Sequence, residues 1–230
     1  MKYRHLFFDL DHTLWDFEKN SSEALGELYE HHNLLNRGIP DVDAFRSQYQ
    51  IHNDELWDLY RKGEVSKANL RTLRFSKTLA DYEINDHQLV SSLDRDYVNT
   101  SPKKGHLMPN AKKVLESLSD QYTIHIITNG FSEIQQIKLK TTGLFPFIQE
   151  LITSDGVGVQ KPHPKIFSQA MVAAGAKRKE SLMIGDHLEV DVYGAMRVGM
   201  DAVYFNPKNL PVHKKPTHEI SDLGELLSFL

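Results

Sequence analysis

Residues 3–14 read YRHLFFDLDHTL, from Tyr3 to Leu14. The run up to Phe8 is aromatic and apolar on both faces and stops at two acids, Asp9 and Asp11. A parallel strand buried on both faces reads this way, with its acids at the carboxyl end. Three further runs repeat the pattern: residues 122–127 (YTIHII), closed by Thr128-Asn129-Gly130; residues 181–184 (SLMI), closed by Gly185-Asp186; and residues 202–205 (AVYF), closed by Asn206-Pro207. A weaker run, 147–153, ends at Ser154-Asp155-Gly156. Between them lie helical patterns, 109–118 with Ala111, Val114, Leu115 and Leu118 on one stripe, and 164–174 with Ile166, Phe167, Ala170 and Met171. The alternation predicts an α/β fold, a doubly wound parallel sheet with helices on both faces and a site outside the carboxyl ends of the strands.

One long segment interrupts that alternation. From Asp16 to about Gly105 there is no convincing strand, only four helical stretches with apolar stripes: Leu25, Leu28, Tyr29, Leu35; then Phe45, Tyr49, Leu56, Leu59, Tyr60; then Leu70, Leu73, Leu79 behind an N-cap at Ser66; then Leu89, Leu93, Tyr97. The expected organisation is a catalytic core of residues 1–15 and 106–230 with an all-helical cap, 16–105, inserted after the first acidic pair. Because it begins there, the cap is expected to sit over that pair and to open and close, excluding water.

At 230 residues the chain is long enough for one core and a satellite without staples, and it has no cysteine, so thiol chemistry is excluded. The net charge is −4 with 27 basic residues spread along the chain, which argues against a nucleic-acid polymer as partner. No segment reaches the roughly 18 apolar residues of a membrane span, and the N-terminus lacks a signal-peptide pattern. The expectation is a cytoplasmic protein, monomer or homodimer, acting on a small molecule and away from membranes.

Four features fall at strand ends. Asp9 and Asp11, two apart, can point to one side of the sheet, one carboxylate attacking phosphorus and the other handling protons. Thr128-Asn129-Gly130 offers a hydroxyl and approachable N–H groups for phosphate oxygens. Lys161, in a Lys-Pro loop, can bring its charge beside a phosphoryl group. Gly185-Asp186 with Asp191 adds acids, and Asp9 with Asp186 supplies the hard oxygens that Mg²⁺ requires, a set that Mn²⁺ also fits. Each feature alone has a bland reading as a turn, a cap or a solvated charge. All four at one crevice would require independent coincidences. His31-His32 and the other histidines lack ligand-like spacing with neighbouring acids and read as surface or core groups.

The set and its order, D-L-D-H-T-L at 9–14, I-T-N-G at 127–130, K-P at Lys161 and G-D-H-L-E-V-D at 185–191, resembles the haloacid dehalogenase-like hydrolase superfamily. The resemblance covers the whole chain and implies a flavodoxin-like core carrying an inserted cap. Residues 127–144 and 56–63 (LWDLYRKG) resemble the pyrimidine 5′-nucleotidases that act on noncanonical nucleotides. What the resemblance implies is a Mg²⁺-dependent phosphate-monoester hydrolase in which Asp9 forms an aspartyl phosphate. Asp11 is the acid and base, with a pKa kept high; Thr128, Asn129, Gly130 and Lys161 hold the phosphoryl group. Asp9, the Asp11 main-chain carbonyl and Asp186 hold the metal, with Asp191 beside them. Asp9 is expected to be kept ionised by the metal and Lys161. Trp15, Phe17 and Trp57 are the candidates for stacking on a base. His12 and His187 depart from the usual residues at their positions, glycine or glutamate and serine or threonine. A sugar-phosphate phosphatase or phosphomutase would share nearly all of these residues. A phospho-accepting signalling receiver or a silent binding protein is the reading from another class.

Overall fold

A computed structural model of the chain describes residues 2–230. The chain divides into two compact units, Met1–Phe17 with Gly105–Leu230, and Glu18–Lys104.

The first unit is built on six strands: β1 (His5–Phe8), β2 (Thr123–Thr128), β3 (Ile148–Thr153), β4 (Ser181–Gly185), β5 (Asp201–Phe205) and β6 (His218–Ile220). All pair in parallel, in the order β3-β2-β1-β4-β5-β6. The short edge strand β6 has no counterpart among the expected runs, since three residues (HEI) carry too little pattern to read. From β1 the chain winds outward through β2 and β3, then returns to build β4 on β1's other side. That reversal opens a crevice at the carboxyl ends of β1 and β4.

Pleating sends alternate side chains to opposite faces. Leu6, Phe8, Ile124, Ile126, Leu182, Ile184, Val203 and Phe205 share one core with Val114, Leu115 and Leu118 of the helix Ala111–Leu118 and with Leu223 and Leu226 near the C-terminus. Phe7, Ile127, Met183, Ala202 and Tyr204 pack on the other face with Ile166, Phe167 and Ala170 of the helix Pro164–Ala173. With both faces covered, near-continuous apolar runs are what each strand needs.

The second unit is all helical: α1 (Phe17–His31), α2 (Val42–Arg61), α3 (Lys67–Ala80) and α4 (His87–Thr100). Asp41, Ser66 and Asp86 cap α2, α3 and α4, their side chains accepting N–H bonds from Ala44, Asn69, and Gln88 and Leu89. The core joins Leu25, Leu28, Phe45, Tyr49, Phe75, Leu79, Leu89, Leu93 and Tyr97. Two expectations fail here. Leu35 is 59% exposed while Leu34 is fully buried, because α1 stops at His31 and a 3₁₀ turn, Leu34–Arg37, shifts the phase of the stripe. The pair His31-His32 is also not isolated from acids. Asp96 arrives from α4, and ligand atoms of the three residues lie within 4.8 Å of one another.

An imidazole is buried inside the sheet. His125 on β2 is fully buried, stacked on Phe7 at 4.7 Å, with Nε2 3.2 Å from His5 Nδ1. Burial pushes its pKa down to about 4. As pH falls, the unfolded chain binds this proton near 6.5 and the folded chain only near 4, so stability is lost across that window. Chemical denaturation at pH 7 and pH 4.5 should show His125→Leu losing less stability than the wild type, by roughly 2–3 kcal/mol. Equal losses would mean that His125 is protonated without penalty.

Candidate active site

Asp9 follows β1 directly, its N–H donating to Ile184 O at 2.9 Å, so the nucleophile candidate is pinned where β1 and β4 meet. The chain then turns tightly: Leu14 and Trp15 N–H both donate to Leu10 O, and His12 takes φ +64°. A left-handed residue costs least as glycine. Thr13, fully buried, ties the turn to the end of β4: its hydroxyl donates to Asp186 Oδ1 at 2.8 Å and accepts Asp186 N–H at 3.1 Å.

Lys161 reaches the same place from its loop and is only 2% exposed. Its ammonium donates to Asp9 Oδ1 at 2.5 Å and Ile127 O at 2.7 Å and lies 2.7 Å from Asp191 Oδ1. Asp191 sits in one turn of π-helix, Leu188–Val192, and its Oδ2 accepts the His187 N–H at 3.1 Å. The His187 ring supplies the N-cap, Nδ1 accepting from Val190 N, a role that serine or threonine also fills. Gly185 makes room for Asp191, since a Cβ there would lie 2.5 Å from its carboxylate.

Oxygens of Asp9, Asp186 and Asp191 lie within 4.8 Å of one another. Three carboxylates face one ammonium. The Lys161 pKa is raised, burial being outweighed by Asp191 and Asp9. The Asp9 pKa is also raised, well above the usual carboxylate range, by burial and by Asp191 and Asp186 against the pull of Lys161. Asp186 shifts the same way, through burial and Asp191. The expectation joins Mg²⁺ to Lys161 in keeping Asp9 ionised; of the two, the protein supplies the lysine's pull, which by itself does not outweigh burial and the neighbouring acids.

On the β2 side, Thr128 is buried and its Oγ1 accepts the Gly130 N–H at 3.0 Å. Two expectations from the sequence change here. The Gly130 N–H is spent on Thr128 instead of being offered to a phosphate. Asn129 uses both ends of its amide on the Lys161 backbone, Oδ1 accepting N–H at 2.7 Å and Nδ2 donating to the carbonyl at 3.0 Å. Asn129 thus holds the lysine loop.

Sequence reasoning missed two residues. The helix α6 (Ser132–Thr141), which follows α5 (Ala111–Leu118), has Asp155 accepting its first N–H and presents Gln135 and Lys138 toward the first turn. Lys138 Nζ donates to Asp11 Oδ1 at 2.5 Å and Gln135 Nε2 to Asp11 Oδ2 at 2.8 Å. Their spacing, i and i+3 on a helix that starts at the I-T-N-G motif, is the signal that could have found them. Burial would raise the Asp11 pKa, but Lys138 and Gln135 outweigh it and hold it below the ordinary value. The expectation of a raised Asp11 is overturned. Trp15 is also excluded as a base-stacking residue: it is fully buried in the core, its ring 4.1 Å from the Lys138 ammonium. Phe17 is partly buried against the same core, its ring 4.8 Å from that of His12. Trp57, on α2, is half-buried beside Tyr60 at 5.6 Å.

Strand-end acids, a buried lysine and a doubly wound sheet are the features that comparison with known proteins can place. The model of the haloacid dehalogenase-like hydrolases matches residues 3–199. The chain belongs to this family. Over its full length it is 31% identical to the pyrimidine 5′-nucleotidase PynA of Streptococcus pneumoniae, covering 96% of that protein. It is 33% identical to a glyceraldehyde 3-phosphate phosphatase of Pyrococcus furiosus, over 98% of this chain and 92% of that one. The magnesium-bound crystal structure of the HAD-hydrolase YfnB from Bacillus subtilis, described as revealing interdomain movement, superposes with a TM-score of 0.89 at 30% identity, covering 99% of this chain and 98% of that one.

Replacing Lys161 by methionine leaves Asp9 and Asp191 without the one ammonium that, among the described residues, is paired with them. Breaking a buried pair in this way costs about 3–5 kcal/mol. Urea denaturation of Lys161→Met at pH 7 without metal should show that loss; a change below about 1 kcal/mol would mean the acids do not depend on this charge.

Proposed function

We propose that this hydrolase removes the phosphoryl group from small phosphate monoesters through a phosphorylated Asp9. The supporting observation is the buried set at the β1/β4 crevice, in which Lys161 bridges Asp9 and Asp191 while Asp186 stands beside them.

The donor set fits Mg²⁺. It is all oxygen, and three carboxylates against one ammonium leave two negative charges that a divalent cation would offset. Asp9, the Asp11 main-chain carbonyl and Asp186 would hold the ion, with Asp191 fixing Lys161 behind them. Bound there, the metal supplies positive charge that lowers the carboxylate pKa values and polarises a phosphoryl oxygen. The magnesium bound in YfnB supports the same choice.

The chain's own residues divide the remaining work. Asp9 attacks phosphorus and the ester oxygen leaves, taking a proton from Asp11; water then attacks the acyl phosphate as Asp11 takes its proton. Held by Lys138 and Gln135, Asp11 is ionised, the form needed for the second half. For the first half it must carry a proton, so the Lys138 contact has to loosen. Lys161 and the Thr128 hydroxyl offset charge on the phosphoryl oxygens.

The resemblance of residues 127–144 and 56–63 to pyrimidine 5′-nucleotidases, together with the match to PynA, favours a pyrimidine nucleoside monophosphate as substrate. The Pyrococcus relative favours a sugar or triose phosphate as the second reading. A diffusible cytoplasmic substrate, a monomeric or dimeric enzyme and specificity from Phe17 and Trp57 belong to the same proposal. Among the described residues no helix is long and apolar enough to cross a membrane.

Phosphate release from a panel of nucleoside monophosphates and sugar phosphates, with Mg²⁺ and with chelator, tests it. The expected result is metal-dependent turnover, fastest on pyrimidine monophosphates and lost in Asp9→Asn with melting temperature retained. Preference for sugar phosphates would transfer the chain to the second reading, and full activity in Asp9→Asn would remove the nucleophile. Trp57→Ala is expected to raise KM for the preferred nucleotide; unchanged kinetics with a lower Tm would make Trp57 a packing residue.

A further inference from the structure

Gln135 is fully buried at the start of α6 and touches two functional groups at once. Its Nε2 donates to Asp11 Oδ2 at 2.8 Å and to Thr128 Oγ1 at 2.7 Å. An amide nitrogen has two hydrogens, so both are used. The orientation of the amide follows from the chemistry of its partner: with Lys138 donating to its other oxygen, the Asp11 carboxylate accepts and cannot donate, so the nitrogen end must face it. The oxygen end, Oε1, is left buried without a partner, a placement that packing alone would not favour.

The consequence falls on Thr128. Its oxygen accepts the Gln135 Nε2–H and the Gly130 N–H, which fills both lone pairs. Only the hydroxyl hydrogen remains, and it can only be given. Gly130 is part of the same device: a Cβ at that position would lie 2.3 Å from Gln135 Nε2, so glycine is what lets the amide sit between the two groups.

We infer that Gln135 is a positioning residue for the phosphoryl group, making the Thr128 hydroxyl an obligatory hydrogen-bond donor and tying it to Asp11. The inference rests on the phosphate-monoesterase reading above. Water or a freely rotating side chain would let that hydroxyl turn to other acceptors; Gln135 and Gly130 remove the choice before the anion arrives. The arrangement links phosphoryl binding and proton transfer through one amide.

The test is a double-mutant cycle on the affinity for inorganic phosphate, read as competitive inhibition in Mg²⁺. The variants are Gln135→Met, which keeps length without donors, Thr128→Val, and both together, with melting temperatures recorded. Gln135→Met is expected to weaken phosphate binding roughly tenfold, the order of one hydrogen bond to a charged group, and to have less than a twofold further effect when Thr128 is already valine. A change below twofold in the protein that keeps its threonine at 128, or equal losses with and without that hydroxyl, would overturn the inference, because a residue that merely packs acts independently of the hydroxyl. Should Gln135→Met fail to fold, Gly130→Ala, which displaces the amide, takes its place in the cycle with the same criteria. If the unmodified protein neither hydrolyses a monoester nor is inhibited by phosphate, the phosphatase reading itself falls, an outcome separate from either result of the cycle.

Discussion

The Lys161 ammonium, enclosed by Asp9, Asp191 and the Ile127 carbonyl, is the contact on which the rest of the site depends. Setting three carboxylates side by side, with Asp9 and Asp191 buried, is costly, and a single lysine offsets part of that cost. The neighbouring structure is arranged to bring them there. Gly185 lets Asp191 approach, Asn129 holds the lysine loop by its backbone, and the sheet reversal sets Asp9 next to Asp186. The uncompensated charge that remains makes the crevice a receptor for a divalent cation.

A second polar layer lies on the other side of the crevice and follows a different rule. There Asp11 is fully satisfied, with one oxygen on Lys138 and the other on Gln135. Two carboxylates two residues apart are thereby driven in opposite directions, Asp9 upward by burial and like charges, and Asp11 downward by Lys138 and Gln135. Dividing labour between paired acids requires this kind of asymmetry. Its sense is the reverse of what the roles alone suggest, and charge supplied by a metal at Asp9 and movement of Lys138 away from Asp11 are the two changes that would invert it.

Much of this was legible in the chain itself. Strands buried on both faces leave long apolar runs, and an acid at the end of such a run has few structural reasons to be there. Asp9, Thr128, Lys161 and Asp186 could therefore be located by position. Partners brought by tertiary contact were harder to find. Lys138 and Gln135 look like the polar face of a solvated helix, and only packing against Trp15 and Thr128 shows otherwise. Asn129 carries the chemistry of a phosphate ligand but is consumed locally. His31 and His32 meet Asp96 only because α1 and α4 share one core, and Leu35 leaves the apolar stripe because a 3₁₀ turn breaks the helical period.

The most direct test of the account is to look for the covalent intermediate where it should accumulate. In Asp11→Asn, an aryl phosphate, whose leaving group departs without a donated proton, can still phosphorylate Asp9, but no base remains to activate water. Acid quenching and peptide mapping by mass spectrometry should find the phosphoryl group on Asp9 in the peptide bearing the D-L-N sequence. Label on another residue, or a protein that turns over the ester fully without ever carrying phosphate, would contradict the assignment of Asp9 as nucleophile.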